Sequence, residues 1–196
     1  MINAERIVCT LDSILDHEVS LVIYGRAAIA LGFTNPPSAV ANSLDVDVIL
    51  RDSQTQSLDA DDQFWDSQAA VNVQLDRDGL YMTHIFGERQ VFLRRRWESE
   101  ILPVLRPPLK HLRLFRPATI DLILTKMMRG NDEQDMQDVD FMIRHDRVAI
   151  LQIEDAFRDA VIPDCIELRD AYERAKPTVL AIARAAADDG FTLPKT

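Results

Sequence analysis

The first fifty residues alternate short apolar segments with polar breaks. Ile7 and Leu11 recur at helical spacing, and Ile14 continues the same face, so this stretch predicts an amphipathic helix. The apolar run that follows ends at Gly25, which indicates a buried strand with a tight exit. The predicted elements are, in order, a helix over about 4–18, a strand over 21–24 and a helix over 27–33.

The segment 44–50 carries the most informative pattern in the chain. Val46 and Val48 alternate with Asp45 and Asp47, and successive side chains of a strand point to opposite faces. Asp is depleted in strands, whereas the valines favour them. The alternation therefore predicts a packed strand that carries two carboxylates on one face.

Turn residues separate the shorter elements that follow. We expect a short helix carrying Phe64, and then a hairpin whose turn ends at Asp78-Gly79, because Asp-Gly favours hairpin turns. Asn131 with Gln134 fits a capping box, and Pro177 fits the first position of a helix. The predicted elements are strands over 71–75, 80–86 and 90–93, and helices over 120–129, from 131 to about 144 and over 177–190.

Together these elements predict an α+β fold, with a small mixed sheet, flanking helices and a helical C-terminal region. The change in character beyond Pro103 suggests an α/β core over 1–105 and a helical region over 106–196 packed on that core. A chain of 196 residues with 47% hydrophobic and 28% charged residues is typical of globular proteins with a sizeable core.

Several features indicate a cytoplasmic protein. No apolar run approaches the roughly 20 residues that cross a bilayer, and the first residues lack the pattern of a signal peptide. Cys9 and Cys165 are far apart and match no metal-binding spacing, which favours two packed thiols in a reducing compartment. We therefore expect no membrane partner.

Charge is distributed unevenly along the chain. The formal net charge is -10, but the segment 89–116 carries +6. Such asymmetry favours a contact with phosphates, for example those of RNA, although a basic segment is also often a solvated face. The basic residues are Arg89, Arg94, Arg95, Arg96, Arg106, Lys110, Arg113 and Arg116.

The paired carboxylates suggest metal chemistry. Asp45 and Asp47 on one strand face can share one divalent metal ion or bridge two, and Mg²⁺ prefers such oxygen ligands. The alternative is an edge strand whose acids are simply solvated. Gly25 favours the metal site, because a glycine at a strand-to-helix exit lets backbone amides approach phosphate oxygens.

Two blocks of sequence resemble a known family. The turn at Gly25, the small-residue helix after it and Asp45-Val46-Asp47 look like the signature of polymerase-β-type nucleotidyltransferases. Ile120-Asp121-Leu122-Ile123-Leu124-Thr125-Lys126 and Asp135-Met136-Gln137-Asp138 resemble a matching element of the toxin-type, AbiEii-like members. The resemblance covers residues 20 to 145 and implies a nucleotidyltransferase-like fold.

The resemblance also implies roles for individual residues. Asp45 and Asp47 would hold Mg²⁺, or Mn²⁺ in its place, and Gly25 would lie against the phosphates of a nucleoside triphosphate. Lys126 would neutralise those phosphates, and Asp135 would orient Lys126 or the acceptor. Without the resemblance, Lys126 is a solvated helix lysine and Asp135 a helix-start acid.

Three departures from the family pattern affect the prediction. Arg26 follows Gly25 where a small residue is usual, and it either clamps a phosphate or blocks the metal. Ala41 replaces a basic residue before the acids, so that only Ser43 keeps a nucleotide-facing polar position. The strand over 80–86 lacks a third carboxylate, and His84 there is either a general base or a hydrogen-bonded structural histidine.

The leading hypothesis is a magnesium-dependent enzyme that transfers a nucleotidyl group from a nucleoside triphosphate. The acceptor would be RNA, through the segment 89–116, a protein hydroxyl or a small molecule, and the enzyme would be toxin-like. Two alternatives remain. One is a degenerate nucleotidyltransferase fold that binds a nucleotide or protein without catalysis. The other is an interaction module that docks an acidic partner.

Overall fold

The structure is a computed structural model that describes residues 1–193; at positions 83 and 84 it describes the backbone but not the side chains. The described chain forms two compact units. The first unit comprises Met1–Glu88 and Ile101–Arg116, and the second comprises Arg89–Glu100 and the residues from Pro117 onward. The predicted division at 105 and 106 falls inside the second segment of the first unit.

The first unit is built on a five-stranded mixed sheet with helices packed against it. Its elements are α1 (Asn3–Ile14), β1 (Val19–Tyr24), α2 (Gly25–Gly32), β2 (Asp45–Leu50), α3 (Asp52–Asp59), α4 (Asp62–Leu75), β3 (Tyr81–Gly87), β5 (Leu102–Pro103) and β6 (Leu112–Arg116). The strand order in the sheet is β3-β2-β1-β6-β5. β1 pairs antiparallel with β2 and parallel with β6, β3 runs parallel to β2, and β5 runs antiparallel to β6.

Helical and strand periodicities account for the core of this unit. Ala4, Ile7, Val8 and Leu11 are buried along one face of α1, the spacing of a helix that covers a sheet. The central strand β1 is buried along most of its length, as expected for a strand covered on both faces. Each fully buried aliphatic side chain of this kind contributes roughly 1.5–3 kcal/mol.

The predicted strand over 71–75 and its hairpin are wrong. Those residues form the last turns of α4, where Phe64, Val71 and Leu75 are buried at helical spacing. Gly79 has φ +64° and ends a short 3₁₀ turn over Asp76–Asp78. The left-handed glycine therefore terminates a helix, and the helical period set by Phe64 outweighs the strand preference of the valines.

Strand β6 had no counterpart among the predicted elements. Leu112 and Leu114 are buried while Arg113 between them is exposed, which is the alternation of a strand with one packed face. In the sequence, the charges of Arg113 and Arg116 are more conspicuous than the alternation of the two leucines. In place of the predicted strand over 90–93, the chain forms a 3₁₀ turn over Glu88–Gln90 and a two-residue strand, β4 (Leu93–Arg94).

The second unit is mainly helical, in agreement with the predicted helical C-terminal region. Its strands β4 and β7 pair antiparallel. The overall class, α+β with a mixed sheet and flanking helices followed by helices, is confirmed at that level. The elements are β4 (Leu93–Arg94), α5 (Thr119–Lys126), α6 (Glu133–Asp146), α7 (Ile150–Asp159), β7 (Ala160–Val161) and α8 (Ile166–Asp188).

Two predicted helix starts in this unit are wrong. α6 is capped by Asp132, whose carboxylate accepts a hydrogen bond from the Asp135 backbone N–H at 3.0 Å, so Asn131 is not the cap. Pro177 lies inside α8 although an interior proline costs about 3 kcal/mol. The buried stripe continues past it, through Ala175 and Val179, and packing on that stripe holds the helix together. Within residues 1–193, no helix combines the length and apolar character needed to cross a membrane.

Candidate active site

The two candidate metal ligands lie on one face of β2. Asp45 and Asp47 are half-buried, whereas Val46 and Val48 on the opposite face are fully buried. Val46 and Val48 anchor the strand in the core, and the two carboxylates project from its other side. The pairing of β2 with β3 shifts register between Val46 and Val48, a β-bulge beside Asp47 of the kind that often redirects side chains at functional sites.

Gly25 lies directly against this acidic face. It is the first residue of α2 and has φ +66°, a conformation that favours glycine. A Cβ built on Gly25 would lie 3.5 Å from Oδ2 of Asp47. The strand pairing explains the approach, because Tyr24, the last residue of β1, is the register partner of Asp47. The structure therefore brings together the glycine turn and the second carboxylate.

Ser43 is hydrogen-bonded to the carboxylate of Asp45. Its side chain is buried, and its hydroxyl donates a hydrogen bond to Oδ1 of Asp45 at 3.0 Å. The 3₁₀ turn over Ser38–Asn42 delivers Ser43 to this position. The small polar residue that the family resemblance assigns to the nucleotide thus contacts and orients a candidate metal ligand, and its contact with a nucleotide stays a prediction.

Tyr24 is a member of this site that the sequence pattern did not single out. Its ring is buried and packs edge-on against Phe86, with 6.0 Å between ring centroids. Burial, and then the negative charges of Asp47 and Asp45, raise the pKa of the Tyr24 hydroxyl. A neutral phenol therefore lies beside the two carboxylates. The sequence places Tyr24 directly before the glycine turn, and the register of β1 with β2 brings it opposite Asp47.

Arg26 is hydrogen-bonded to the turn that precedes β2. One of its guanidinium nitrogens, Nη1, donates to the backbone carbonyl of Ala39 at 3.2 Å. Ala39 belongs to the 3₁₀ turn that precedes Ser43 and Asp45. Arg26 thus ties the first turn of α2 to the segment that positions the first carboxylate.

Lys126 and Asp135 are engaged with each other in the second unit. The Lys126 amine donates to Asp135 at 3.0 Å and to Asp138 at 2.6 Å, and its residue is only 6% exposed. Arg129 donates to the other oxygen of Asp135 at 2.7 Å. Burial raises the pKa of Asp135, but Arg129 and Lys126 outweigh it, so the net pKa is lowered. The charges of these helices form an internal network.

Asp121, the other end of the same sequence block, is also engaged internally. It is fully buried and accepts hydrogen bonds from the backbone N–H, Nε and Nη2 of Arg94 at 2.8, 3.1 and 2.7 Å. Burial raises the pKa of Asp121 despite these contacts. The block that resembles a family motif therefore joins α5 to β4 at one end and to α6 at the other.

The basic segment 89–116 is divided between the two units. Arg94 is held by Asp121 and Glu100. Arg116 is buried, with its guanidinium carbon 4.2 Å from the ring centroid of Phe33. Two of the eight basic side chains thus have internal roles, and the RNA contact stays a prediction.

The strand over 80–86 carries no acid of its own, but Asp78 and Glu88 lie near its two ends. Asp78 pairs with Arg6, and Glu88 accepts from the Asp52 backbone N–H at 3.2 Å. His84 lies outside the side chains that the structure describes. Among the described residues, no group of three or more His, Cys, Asp or Glu side chains could hold a metal ion.

Comparison with known proteins leaves the site to be interpreted from its own geometry. No family model, no curated protein and no solved structure matches this chain.

Proposed function

We propose that this protein is a magnesium-dependent nucleotidyltransferase with a nucleotidyltransferase-like fold. The observation that carries the proposal is the approach of the Gly25 turn to Asp47, with 3.5 Å between the position of a Cβ and the carboxylate oxygen. Phosphoryl chemistry needs a metal-holding carboxylate next to backbone that can approach a phosphate. Asp45, Asp47 and Gly25 supply both within one unit.

The donor set suits Mg²⁺ or Mn²⁺. Both candidate ligands are carboxylates, the hard oxygen donors that these ions prefer. Mg²⁺ is usually held by one or two carboxylates, while waters and substrate phosphates complete its shell. Two half-buried acids on one strand face therefore fit the ion without a third protein ligand, and Ser43 keeps Asp45 oriented.

Each residue then has a defined task in nucleotidyl transfer. A bound Mg²⁺ would neutralise charge on the triphosphate, and Asp45 and Asp47 would hold it. The start of α2 offers backbone N–H groups to the phosphates, and Gly25 keeps side-chain atoms out of their way. An acceptor oxygen forms a new bond to the α-phosphorus while the bond to pyrophosphate breaks. The acceptor would be RNA, a protein hydroxyl or a small molecule, with a toxin-like RNA modification as one version.

A specific observation favours a second candidate, a degenerate fold that binds a nucleotide without catalysis. The amine of Lys126, which the family resemblance assigns to the triphosphate, is hydrogen-bonded to Asp135 and Asp138 and is almost fully buried. A transferase at the Asp45/Asp47 site must therefore neutralise phosphate charge with the metal ion and other donors. A protein that only binds nucleotides needs less charge compensation.

Calorimetric titration separates the two candidates. Each nucleoside triphosphate is titrated with and without Mg²⁺, and pyrophosphate release is measured with candidate acceptors present. The transferase requires Mg²⁺-dependent binding that Asp45→Asn abolishes and Asp66→Asn preserves, since Asp66 is an exposed acid on α4. Binding that persists without Mg²⁺ and in Asp45→Asn supports the degenerate fold. An absence of nucleotide binding in every condition refutes both.

A further inference from the structure

A surface in the first unit combines exposed apolar side chains with basic ones. The segment 102–110, called here the 102–110 surface, leaves β5 and returns toward β6. Leu105 is 80% exposed and Leu102 is 41% exposed, so the segment presents two apolar side chains to solvent. The segment borders a cavity of about 250 Å³ whose lining is mainly apolar, including Val104, Leu109 and Phe115.

The surface is held in place at both ends. At one end, the Val104 backbone N–H donates to the Leu114 carbonyl at 2.8 Å. At the other end, the Asp12 carboxylate accepts from the backbone N–H groups of Lys110, His111 and Leu112, at distances of 2.7 to 3.0 Å. A surface fixed in this way loses little conformational freedom when a partner binds.

Charge identifies the kind of partner. Arg106, Lys110 and Arg113 are exposed on the segment that borders the apolar cavity. Two acids lie against the same segment, because Glu18 pairs with Arg113 at 2.9 Å and the Asp12 carboxylate accepts from the Lys110 backbone N–H. Three cations against two acids leave this surface with a local charge of +1. The chain as a whole has a net charge of -10, so this surface is locally opposite in sign to the remainder. An acidic partner is attracted here and repelled by most other parts of the molecule.

Backbone chemistry and side-chain types narrow the choice further. Pro103 provides no N–H at the β5 edge, so addition of a strand to this edge is disfavoured. A nucleic acid would contact phosphate-binding cations and stacking aromatic rings, whereas the exposed side chains here include two leucines. A protein segment that places an apolar side chain in the cavity and carboxylates on the rim fits both features.

We infer that the 102–110 surface is a docking site for an acidic peptide segment of another protein, anchored by one large apolar side chain. Leu105 and the adjacent cavity receive the apolar anchor, and Arg106 and Lys110 pair with the flanking carboxylates. This inference is independent of the proposed nucleotidyl transfer, since none of these residues belongs to the Asp45/Asp47 site.

Selection from a random displayed-peptide library tests the inference, because such a library samples many sequences and requires no identified partner. We expect the protein to enrich peptides in which acidic residues flank a leucine, phenylalanine or similar side chain. Synthetic copies of the enriched peptides should bind in solution. Leu105→Ser and Arg106→Glu should each weaken that binding by about tenfold or more, the loss expected for one buried apolar contact or one charged contact.

Matched variants elsewhere on the first unit provide the controls. Val73 is 78% exposed on α4 and Arg77 is exposed in the following turn, so Val73→Ser and Arg77→Glu remove the same chemistry and should leave binding unchanged. Circular dichroism should show native secondary structure in all four variants, because each replaces an exposed side chain.

Other results overturn the inference. These are no enrichment, enrichment of basic peptides, or equal loss of binding in the control variants. Binding of single-stranded RNA that Arg106→Glu abolishes and Leu105→Ser leaves intact would identify an RNA surface. Self-association in sedimentation velocity that Leu105→Ser abolishes would identify a second copy of the chain as the occupant.

Discussion

Oδ2 of Asp47 lies 3.5 Å from the position that a Cβ would occupy on Gly25. This separation is an ordinary van der Waals distance, so a Cβ at position 25 would just fill the space that glycine leaves open between the turn and the carboxylate. The contact arises because Tyr24 at the end of β1 is paired with Asp47 on β2, which places the start of α2 over the acidic face. A ligand held by Asp47 would therefore meet the backbone of the turn.

Gly25→Ala should lower both stability and nucleotide affinity. At φ +66° an L-residue is strained by roughly 1–2 kcal/mol, so the free energy of unfolding in urea should fall by about that amount. The added methyl group also occupies the space between the turn and Asp47. We expect Mg²⁺-dependent binding of nucleoside triphosphate to weaken by at least about tenfold in calorimetry.

Gly79→Ala is the matched control for this substitution. Gly79 has φ +64°, and a Cβ there would meet no atom within 4 Å. It should lose similar stability and keep the nucleotide affinity of the unmodified protein. If the two alanine variants bind nucleotide equally well, the turn at Gly25 plays no part in the site.

Lys126→Met should lower the free energy of unfolding of the second unit. Removing the amine leaves Asp135 and Asp138 buried with part of their charge uncompensated, and breaking a buried ion pair in this way costs about 3–5 kcal/mol. Chemical denaturation monitored by circular dichroism measures the loss. Adding Asp138→Asn to Lys126→Met should recover part of it, because one buried negative charge is removed.

A half-buried lysine whose partner is exposed provides the comparison. Lys176 pairs with Glu173 at the surface of α8, at 2.6 Å, and Lys176→Met should cost less than about 1 kcal/mol. If Lys126→Met is as mild as Lys176→Met but raises the dissociation constant for nucleotide, Lys126 serves the triphosphate as the family resemblance implies.

The acidic strand shows which features local pattern can predict. Alternation fixes the face on which Asp45 and Asp47 lie, because the side-chain period of a strand is two, and a glycine after an apolar run marks the turn. Their proximity depends on the pairing of β1 with β2, which alternation does not specify. The position of Tyr24 opposite Asp47 follows only from that register.

Other features were unpredictable because two physical effects competed. The valines around Val71 favour a strand, but the helical period that starts at Phe64 determines the structure. The family resemblance suggests that Asp135 orients Lys126, but residue pattern alone favours surface charges for both, and the packing of α5 on α6 buries them together. In β6, the exposed arginine between two buried leucines belongs to a strand with one packed face, but five residues are too few for this alternation to stand out from the surrounding basic segment.

Asp12→Ala should destabilise the first unit by about 1 kcal/mol or more, because the backbone donors of His111 and Leu112 are partly buried and lose their acceptor. The Asp12 carboxylate accepts from three successive backbone N–H groups at the start of β6. Asp66→Ala, on the exposed face of α4, should change the free energy of unfolding by less than about 0.5 kcal/mol.

The Asp12 contribution should also depend on pH. Burial raises the pKa of Asp12, but the three hydrogen bonds outweigh it, so the folded-state pKa is lowered. In the unfolded chain the pKa of an aspartate is about 3.9. Because the folded-state pKa of Asp12 is lower, its ionised carboxylate stabilises the fold at pH values above about 3.9. The stability difference between the unmodified protein and Asp12→Ala should be constant from neutral pH down to that value. It should shrink as the pH falls through the folded-state pKa, and a difference that grows in acid would contradict the assignment.

Arg26→Ser should weaken nucleotide binding by about tenfold or more, the value of one hydrogen bond to a charged group. Arg26 is the second residue of α2, next to Gly25. Its bond to the Ala39 carbonyl holds the guanidinium at the turn that precedes the acidic strand, and its planar fork can hold a phosphate. Arg26→Lys keeps the positive charge but loses the planar guanidinium. Its affinity for nucleotide should therefore lie between those of the unmodified protein and Arg26→Ser. Tighter binding of Mg²⁺ alone in Arg26→Ser would instead mean that Arg26 blocks the metal site. Lower stability in urea with unchanged affinity for both ligands would leave Arg26 only its structural contact with Ala39.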